Sequence, residues 1–323
     1  MFDKRLIRAI NQGRCFILVG SGPSCEVGYP SWHQLAELTF NELTNSGQIT
    51  DLKSYERYLA DNKYPEFFRQ AERDLGSRAA LIELLKYLLS PTSKRRGVIY
   101  ELITRWPFAC YLTTNYDDEI EHHLAELQEH FTVLRNRQKD FYSIRDGADH
   151  IIQKLHSDLN YPDEVVLTSA DYRRLYVEDS GKYFRDKLRQ IFEMFDLLIV
   201  GHSLSDPDIG YVIQLAKQTA NPKHPIFMTA ADFSKADEKE YFEKYNIVLI
   251  NYSNNDSSHV ELRRLFLTAN KFIVPRGRLR ERISIAPRPQ DEIDSATALF
   301  LYRRLHTVDR KSTRLNSSHR IRS

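Results

Sequence analysis

Four short apolar runs in this chain end in compact polar clusters. They are Gly20-Ser21-Gly22-Pro23-Ser24, Thr113-Thr114-Asn115-Tyr116-Asp117, His156-Ser157-Asp158 and Gly201-His202-Ser203-Leu204-Ser205-Asp206. Glycines directly after a strand let the backbone turn sharply and approach a ligand without Cβ interference. A helix starting beyond such a turn offers unpaired N–H groups and a positive dipole end, which suits a pyrophosphate. The same residues also fit an ordinary strand-to-helix turn. A histidine titrates near neutrality and serves as a general acid or base. An asparagine supplies both an amide donor and a carbonyl acceptor. If the four runs are parallel strands, their polar ends share one edge of the sheet and surround one crevice.

The elements needed to position these residues are legible in order. Residues 3–12 read as a helix leading into the first strand at Phe16–Val19. The next helix is expected near Trp32, with Ser31 as N-cap and Gln34 three residues on, a capping-box pattern. Apolar residues then recur at helical spacing through 32–43, 54–62, 65–75 and 77–89. This block is too long for a single crossover and reads as a helical layer inserted after the first βα unit, covering the sheet edge. Residues 98–105 suggest another helix turn, 108–118 a strand running into a loop, 119–128 a helix and 131–135 a short strand. Residues 150–159 read as strand to loop, and 165–176 as a strand followed by a helix capped by Ser169. A helix over 183–195 leads into the strand at 196–200; 225–230 and 246–252 are late strands, each followed by helical sequence. Strands alternating with helices predict an α/β fold: a doubly wound, Rossmann-like parallel sheet with a helical insertion layer.

Composition narrows the function classes. The 323 residues are 41% hydrophobic and 28% charged, enough for one large α/β domain plus something smaller. Three cysteines (Cys15, Cys25, Cys110) form no CxxC pair, which argues against a cysteine-rich zinc site or a disulfide framework and fits a reducing cytoplasm. No run approaches the ~18 apolar residues of a membrane span. Residues 273–323 carry twelve Lys/Arg against five Asp/Glu, a net +7, leaving −5 for residues 1–272, where nucleic-acid binding is not expected. The basic end is expected to be a linker and the start of a truncated C-terminal region (273–308). A non-native tail is expected over 309–323, because DRKSTRLNSSH resembles a translated sequencing-library adapter.

A plain dinucleotide-binding dehydrogenase fits poorly. Its G-x-G-x-x-G fingerprint requires glycine where Cys25 stands, and its acidic second-strand tip falls in helical sequence. The four clusters, with Lys154-Leu155 preceding the histidine, instead occur in the order and at roughly the spacing of the sirtuin family. They resemble most the sirtuin-like domains of bacterial anti-phage defence proteins, which hydrolyse NAD. Tyr29-Pro30-Ser31-Trp32 and Ser205-Asp206-Pro207-Asp208 favour that branch, and the resemblance covers about residues 5–270. Two departures stand out. The family usually has Ala at Ser21 and Gly at Ser157. The four-cysteine zinc module of the protein deacylases is absent, since no cysteine follows Cys110, so no zinc is expected.

The resemblance implies an NAD-binding domain over residues 1–272, with a helical insertion at about 32–105. Asn115 and His156 would be catalytic, His156 contacting the ribose hydroxyls. Gly20, Ser21 and Gly22 would meet the pyrophosphate through their N–H groups, with Ser24 assisting. Asp117 would bind the nicotinamide side or brace its loop, and Gly201 and Ser203 would line the adenosine side. Asp206 and Asp208 are expected to cap the following helix. His122-His123 is expected on a solvated helix face, with Trp32 and Trp106 in packing. The implied activity is hydrolysis of NAD to nicotinamide and ADP-ribose, by a cytoplasmic effector restrained by a sensor domain or partner and working as a homo-oligomer. A protein deacylase and a catalytically silent NAD or ADP-ribose sensor remain the alternatives.

Overall fold

The computed structural model describes residues 2–91, 97–137, 150–202, 210–211, 224–254 and 259–276. Ser203, Asp206, Asp208 and residues 277–323 lie outside them. The strands are β1 (Cys15–Val19), β2 (Cys110–Thr113), β3 (Thr132–Leu134), β4 (Ile151–Lys154), β5 (Asp196–Val200), β6 (Ile226–Ala231) and β7 (Ile247–Tyr252). They form one parallel sheet in the order β3-β4-β2-β1-β5-β6-β7. This is the doubly wound α/β sheet expected from sequence. The chain leaves β1 toward β2 on one side and leaves β5 toward β6 on the other. Strand order therefore reverses between β1 and β5, where such sheets bind ligands beyond the carboxyl ends.

Every residue of β1 is buried because both faces of the sheet are covered. Phe16 and Leu18 enter the core of one face, while Cys15, Ile17 and Val19 enter that of the other. Helices α1 (Lys4–Asn11), α7 (Val98–Ile103), α8 (Glu119–Glu126) and α12 (Val260–Asn270) pack on the β1 face that carries Ile17. Helices α9 (Ser169–Tyr176), α10 (Lys182–Met194) and α11 (Lys235–Tyr245) cover the opposite face. Helix α2 (Ser21–Val27) starts at the glycine loop itself, earlier than the expected helix at Trp32. Gly20 is its extended N-cap and Gly28, at φ 111°, ends it. Seven small, polar residues give no helical periodicity, which hides this turn in the sequence.

Helices α3 (Trp32–Asn45), α4 (Leu52–Ala60), α5 (Tyr64–Asp74) and α6 (Arg78–Leu88) build a third core around Tyr55, Phe67, Phe68 and Ile82. The Ser31–Gln34 capping box opens α3 as expected. This block packs against Leu159, Val165 and Leu167 of the loop after β4, and against Tyr116 after β2. It therefore sits over the carboxyl-end loops rather than along an edge strand. The strand expected at 165–168 is absent; Val165 and Leu167 are buried in the helical block instead. Thr168, not Ser169, caps α9 and forms a capping box with Asp171.

Candidate active site

A cleft open to solvent lies beyond the ends of β1, β2 and β4. Ser21 and Ser24 of α2, Asn115 and Asp117 after β2, and His156 after β4 all line it. Trp32 of α3, Tyr116 and Tyr172 of α9 give it an aromatic wall. Five of the nine residues assigned on sequence thus meet in one cleft. Gly20, Gly22 and Gly201 do not line it, and Ser203 lies outside the described residues.

Asn115 is oriented by its neighbours. Its Nδ2 donates to Gly20 O at 2.8 Å and to Ser24 Oγ at 3.0 Å. A backbone carbonyl only accepts, so the amide nitrogen must face Gly20. Both amide hydrogens are thereby engaged, and Oδ1 is left as the atom that can accept from a ligand. The backbone is held too: Asn115 N donates to Thr113 Oγ1, and that hydroxyl donates to Val19 O in β1.

Ser24 has a different role from the one expected. Its hydroxyl is buried, donates to Asp117 Oδ2 at 2.7 Å, and lies 2.9 Å from Tyr100 Oη of α7. It braces Asn115 and Asp117 rather than offering its oxygen to a phosphate. Asp117 also accepts from Glu119 N at the start of α8. Burial pushes its carboxyl above the ordinary carboxylate range, opposed by the Ser24 hydroxyl, the Glu119 N–H and the Lys154 ammonium.

The glycines also act differently. Gly20 N donates to Val200 O and Gly22 N to Gly201 O, at 2.9 and 3.0 Å. Those two N–H groups are spent inside the protein, so the expected pyrophosphate contact through them is not offered. Their lack of Cβ matters instead. A Cβ on Gly20 would meet the His202 ring at 2.6 Å, and one on Gly201, at φ +76°, would meet Pro23 Cδ at 2.2 Å. Glycine at these positions lets the loops after β1 and β5 touch at the point where strand order reverses.

His156 is buried, with Nε2 2.9 Å from Tyr176 Oη and its ring edge-on to Tyr172. The next residue, Ser157, adopts φ +62° and is fully buried. Its left-handed backbone accounts for glycine at the matching position of the sirtuin pattern.

Sequence reasoning missed several groups. Lys154, at the end of β4, is 1% exposed. Its Nζ donates to Asp117 O at 3.0 Å and pairs with Asp118 and Glu121. Burial alone would lower its pKa, but the two carboxylates hold it above the ordinary lysine range. A lysine inside the apolar run HIIQKL was the available signal. Tyr100, far from any motif, gave none. Trp32 stacks on Phe68 at 5.0 Å, as the packing expectation has it, yet also lines the cleft. Trp106 is packing alone, stacked on Phe266 at 5.4 Å. His123 is not solvated: it is buried, stacks on Tyr100 and hydrogen-bonds Glu119 O, while His122 is exposed.

Residues 109–250, from the start of β2 into β7, match the family profile of the SIR2-like domain. That stretch of the chain is similar to the SIR2-like domain. The matched span holds Asn115, Asp117, His156 and Gly201; β1 and its glycine loop precede it. Among curated relatives, the NAD(+) hydrolase ThsA of Enterococcus faecium is 25% identical over 253 residues, 76% of this chain and 50% of that protein. ThsA of Cytobacillus dafuensis is 25% identical over 211 residues, covering 65% of this chain and 39% of the relative. ThsA of Bacillus cereus (strain MSX-D12) is 25% identical over 220 residues, 66% of this chain and 42% of the relative. The chain spans about half the length, or less, of these relatives.

Proposed function

We propose that this chain is an NAD⁺ glycohydrolase that cleaves the nicotinamide–ribose bond to give nicotinamide and ADP-ribose. The observation that carries this reading is the convergence of Asn115, Asp117 and His156 in one aromatic-walled cleft. The names of the curated relatives, all NAD(+) hydrolases, support it. The pyridinium ring leaves with the bonding electron pair as neutral nicotinamide, and the ribose carbon develops oxocarbenium character. The Asn115 carbonyl oxygen orients a ribose hydroxyl or the attacking water beside that carbon. Water adds to the ribose carbon, and its proton passes to His156 and then to solvent. Asp117 and the ring faces of Trp32 and Tyr116 favour a cationic aromatic ring in the cleft. Gly20, Gly22 and Gly201 hold the two loops together, Ser21 contacts the phosphates, and Gly201 and Ser203 serve the adenosine side.

In the cell, following the sirtuin-like resemblance, we infer an anti-phage effector that depletes NAD under the restraint of a sensor domain or partner. A homo-oligomer in the cytoplasm is part of the same proposal. The test is incubation with NAD alone. Release of nicotinamide and ADP-ribose is expected, with Asn115→Ala and His156→Ala each slower by at least about a hundredfold. Turnover only with an added acyl-peptide would assign a deacylase, and binding without turnover a sensor. An Asn115→Ala variant as fast as the parent would remove the site assignment.

A further inference from the structure

The deepest side-chain network under the cleft begins on α7, outside every motif. Tyr100 is fully buried, with its ring stacked on His123 at 5.5 Å. Its Oη lies 2.9 Å from Ser24 Oγ and 3.4 Å from Asn115 Nδ2. Ser24 Oγ carries one proton and two lone pairs. An ionised Asp117 only accepts, so the Ser24 proton goes to Asp117 Oδ2. Ser24 Oγ must then accept from Asn115 Nδ2 and from Tyr100 Oη. Burial holds the Tyr100 phenol far above its ordinary pKa, so it keeps the proton it donates.

We propose that Tyr100 is a positioning residue for the hydrolysis. Its hydroxyl donates into Ser24 Oγ and helps hold that oxygen where it accepts from Asn115 Nδ2, which keeps the amide nitrogen inward and the carbonyl oxygen available to the ligand. Without the Tyr100 hydroxyl, Ser24 Oγ keeps only its Asp117 and Asn115 partners, is free to shift, and holds the Asn115 amide less closely. Such hydrogen-bond chains act as a unit, so the effect of breaking two links is less than the sum of each.

The inference rests on the NAD hydrolase reading, and its test separates the two. Tyr100→Phe keeps the buried ring and its stack and removes only Oη. We expect kcat for NAD to fall about tenfold with KM within about threefold, the pattern of a lost transition-state interaction. Ser24→Ala is expected to fall at least as far, and the double variant no further than Ser24→Ala alone. Additive losses, or a Tyr100→Phe kcat within about twofold of the parent, overturn the proposal. A second readout needs no turnover. The side-chain amide resonances of Asn115, identified by their loss in Asn115→Asp, are expected to exchange slowly with water and to shift in Tyr100→Phe. Unchanged resonances overturn the proposal as well. If the parent hydrolyses no NAD, the functional reading fails while the amide resonances still decide the role of Tyr100.

Discussion

Side chains around the cleft are fixed by which atoms can only accept. Gly20 O turns the Asn115 amide nitrogen inward, and Asp117 takes the Ser24 proton, so the polarity of the site follows from valence alone. Ser157 marks a cost at the same scale. Its φ of +62° is left-handed, and its buried Oγ makes no hydrogen bond among the described residues. A left-handed conformation costs an L-residue about 1–2 kcal/mol, partly offset by the greater chain entropy that glycine loses on folding. Ser157→Gly is therefore expected to stabilise the fold by about 1 kcal/mol, measured as a higher denaturation midpoint with an unchanged denaturant slope. A lower midpoint would show that the hydroxyl does more for the fold than its backbone costs.

Between elements, one arginine adds polar links to the apolar packing that joins the helical block to the sheet domain. Arg78, at the start of α6, donates to Pro162 O and Val165 O and pairs with Asp171 of α9 at 3.0 Å. Burial would raise the Asp171 carboxyl. The Thr168 N–H and hydroxyl and the Arg78 guanidinium together hold it below the ordinary range. A carboxyl whose folded pKa is depressed stabilises the fold above its unfolded pKa of about 3.9 and loses that contribution as pH falls through the folded value. Arg78→Met is expected to cost about 2 kcal/mol at neutral pH. It also moves the onset of acid unfolding to higher pH, because Asp171 then protonates more readily. Denaturant titrations across pH 3–7 check both, and a variant with the parent's acid transition would show that Thr168, Leu167 N and Arg174 hold the carboxylate without Arg78. At the centre of the sheet, the bare backbones of Gly20 and Gly201 join β1 to β5, which no side chain could do at that distance.

At the scale of the whole molecule, the sheet domain ends later than the composition change suggests. Ile273 is buried in the sheet core, Val274 N donates to Asn11 Oδ1, and Arg276 donates to Arg105 O and Phe108 O. The packed sheet domain therefore takes in residues 273–276. A chain ending at residue 276 is expected to be more stable by about 3 kcal/mol than one ending at 272, from three hydrogen bonds and one buried isoleucine. Equal thermal midpoints would return the boundary to 272. Arg105 and Phe108 precede β2, so the described chain ends at the amino edge of the sheet, opposite the cleft. Among the described residues no helix is long and apolar enough to cross a membrane.

By itself the sequence determined the α/β alternation, with one strand too many at 165–168, and four of the polar strand ends, because buried parallel strands read as bare apolar runs and their tips as abrupt polar clusters. It also located Asn115, Asp117 and His156, whose positions follow directly from where those runs stop. Periodicity missed α2, which is too short to show a repeat. Sequence also assigned the glycine N–H groups to a ligand, although β5 takes them through a pairing made across some 180 residues. Tertiary structure alone decided that Ser24 is a brace, that Lys154 is buried among carboxylates, and that Tyr100 reaches Asn115. Those roles depend on which donor meets which acceptor between distant segments, and no local pattern of residue types carries that information.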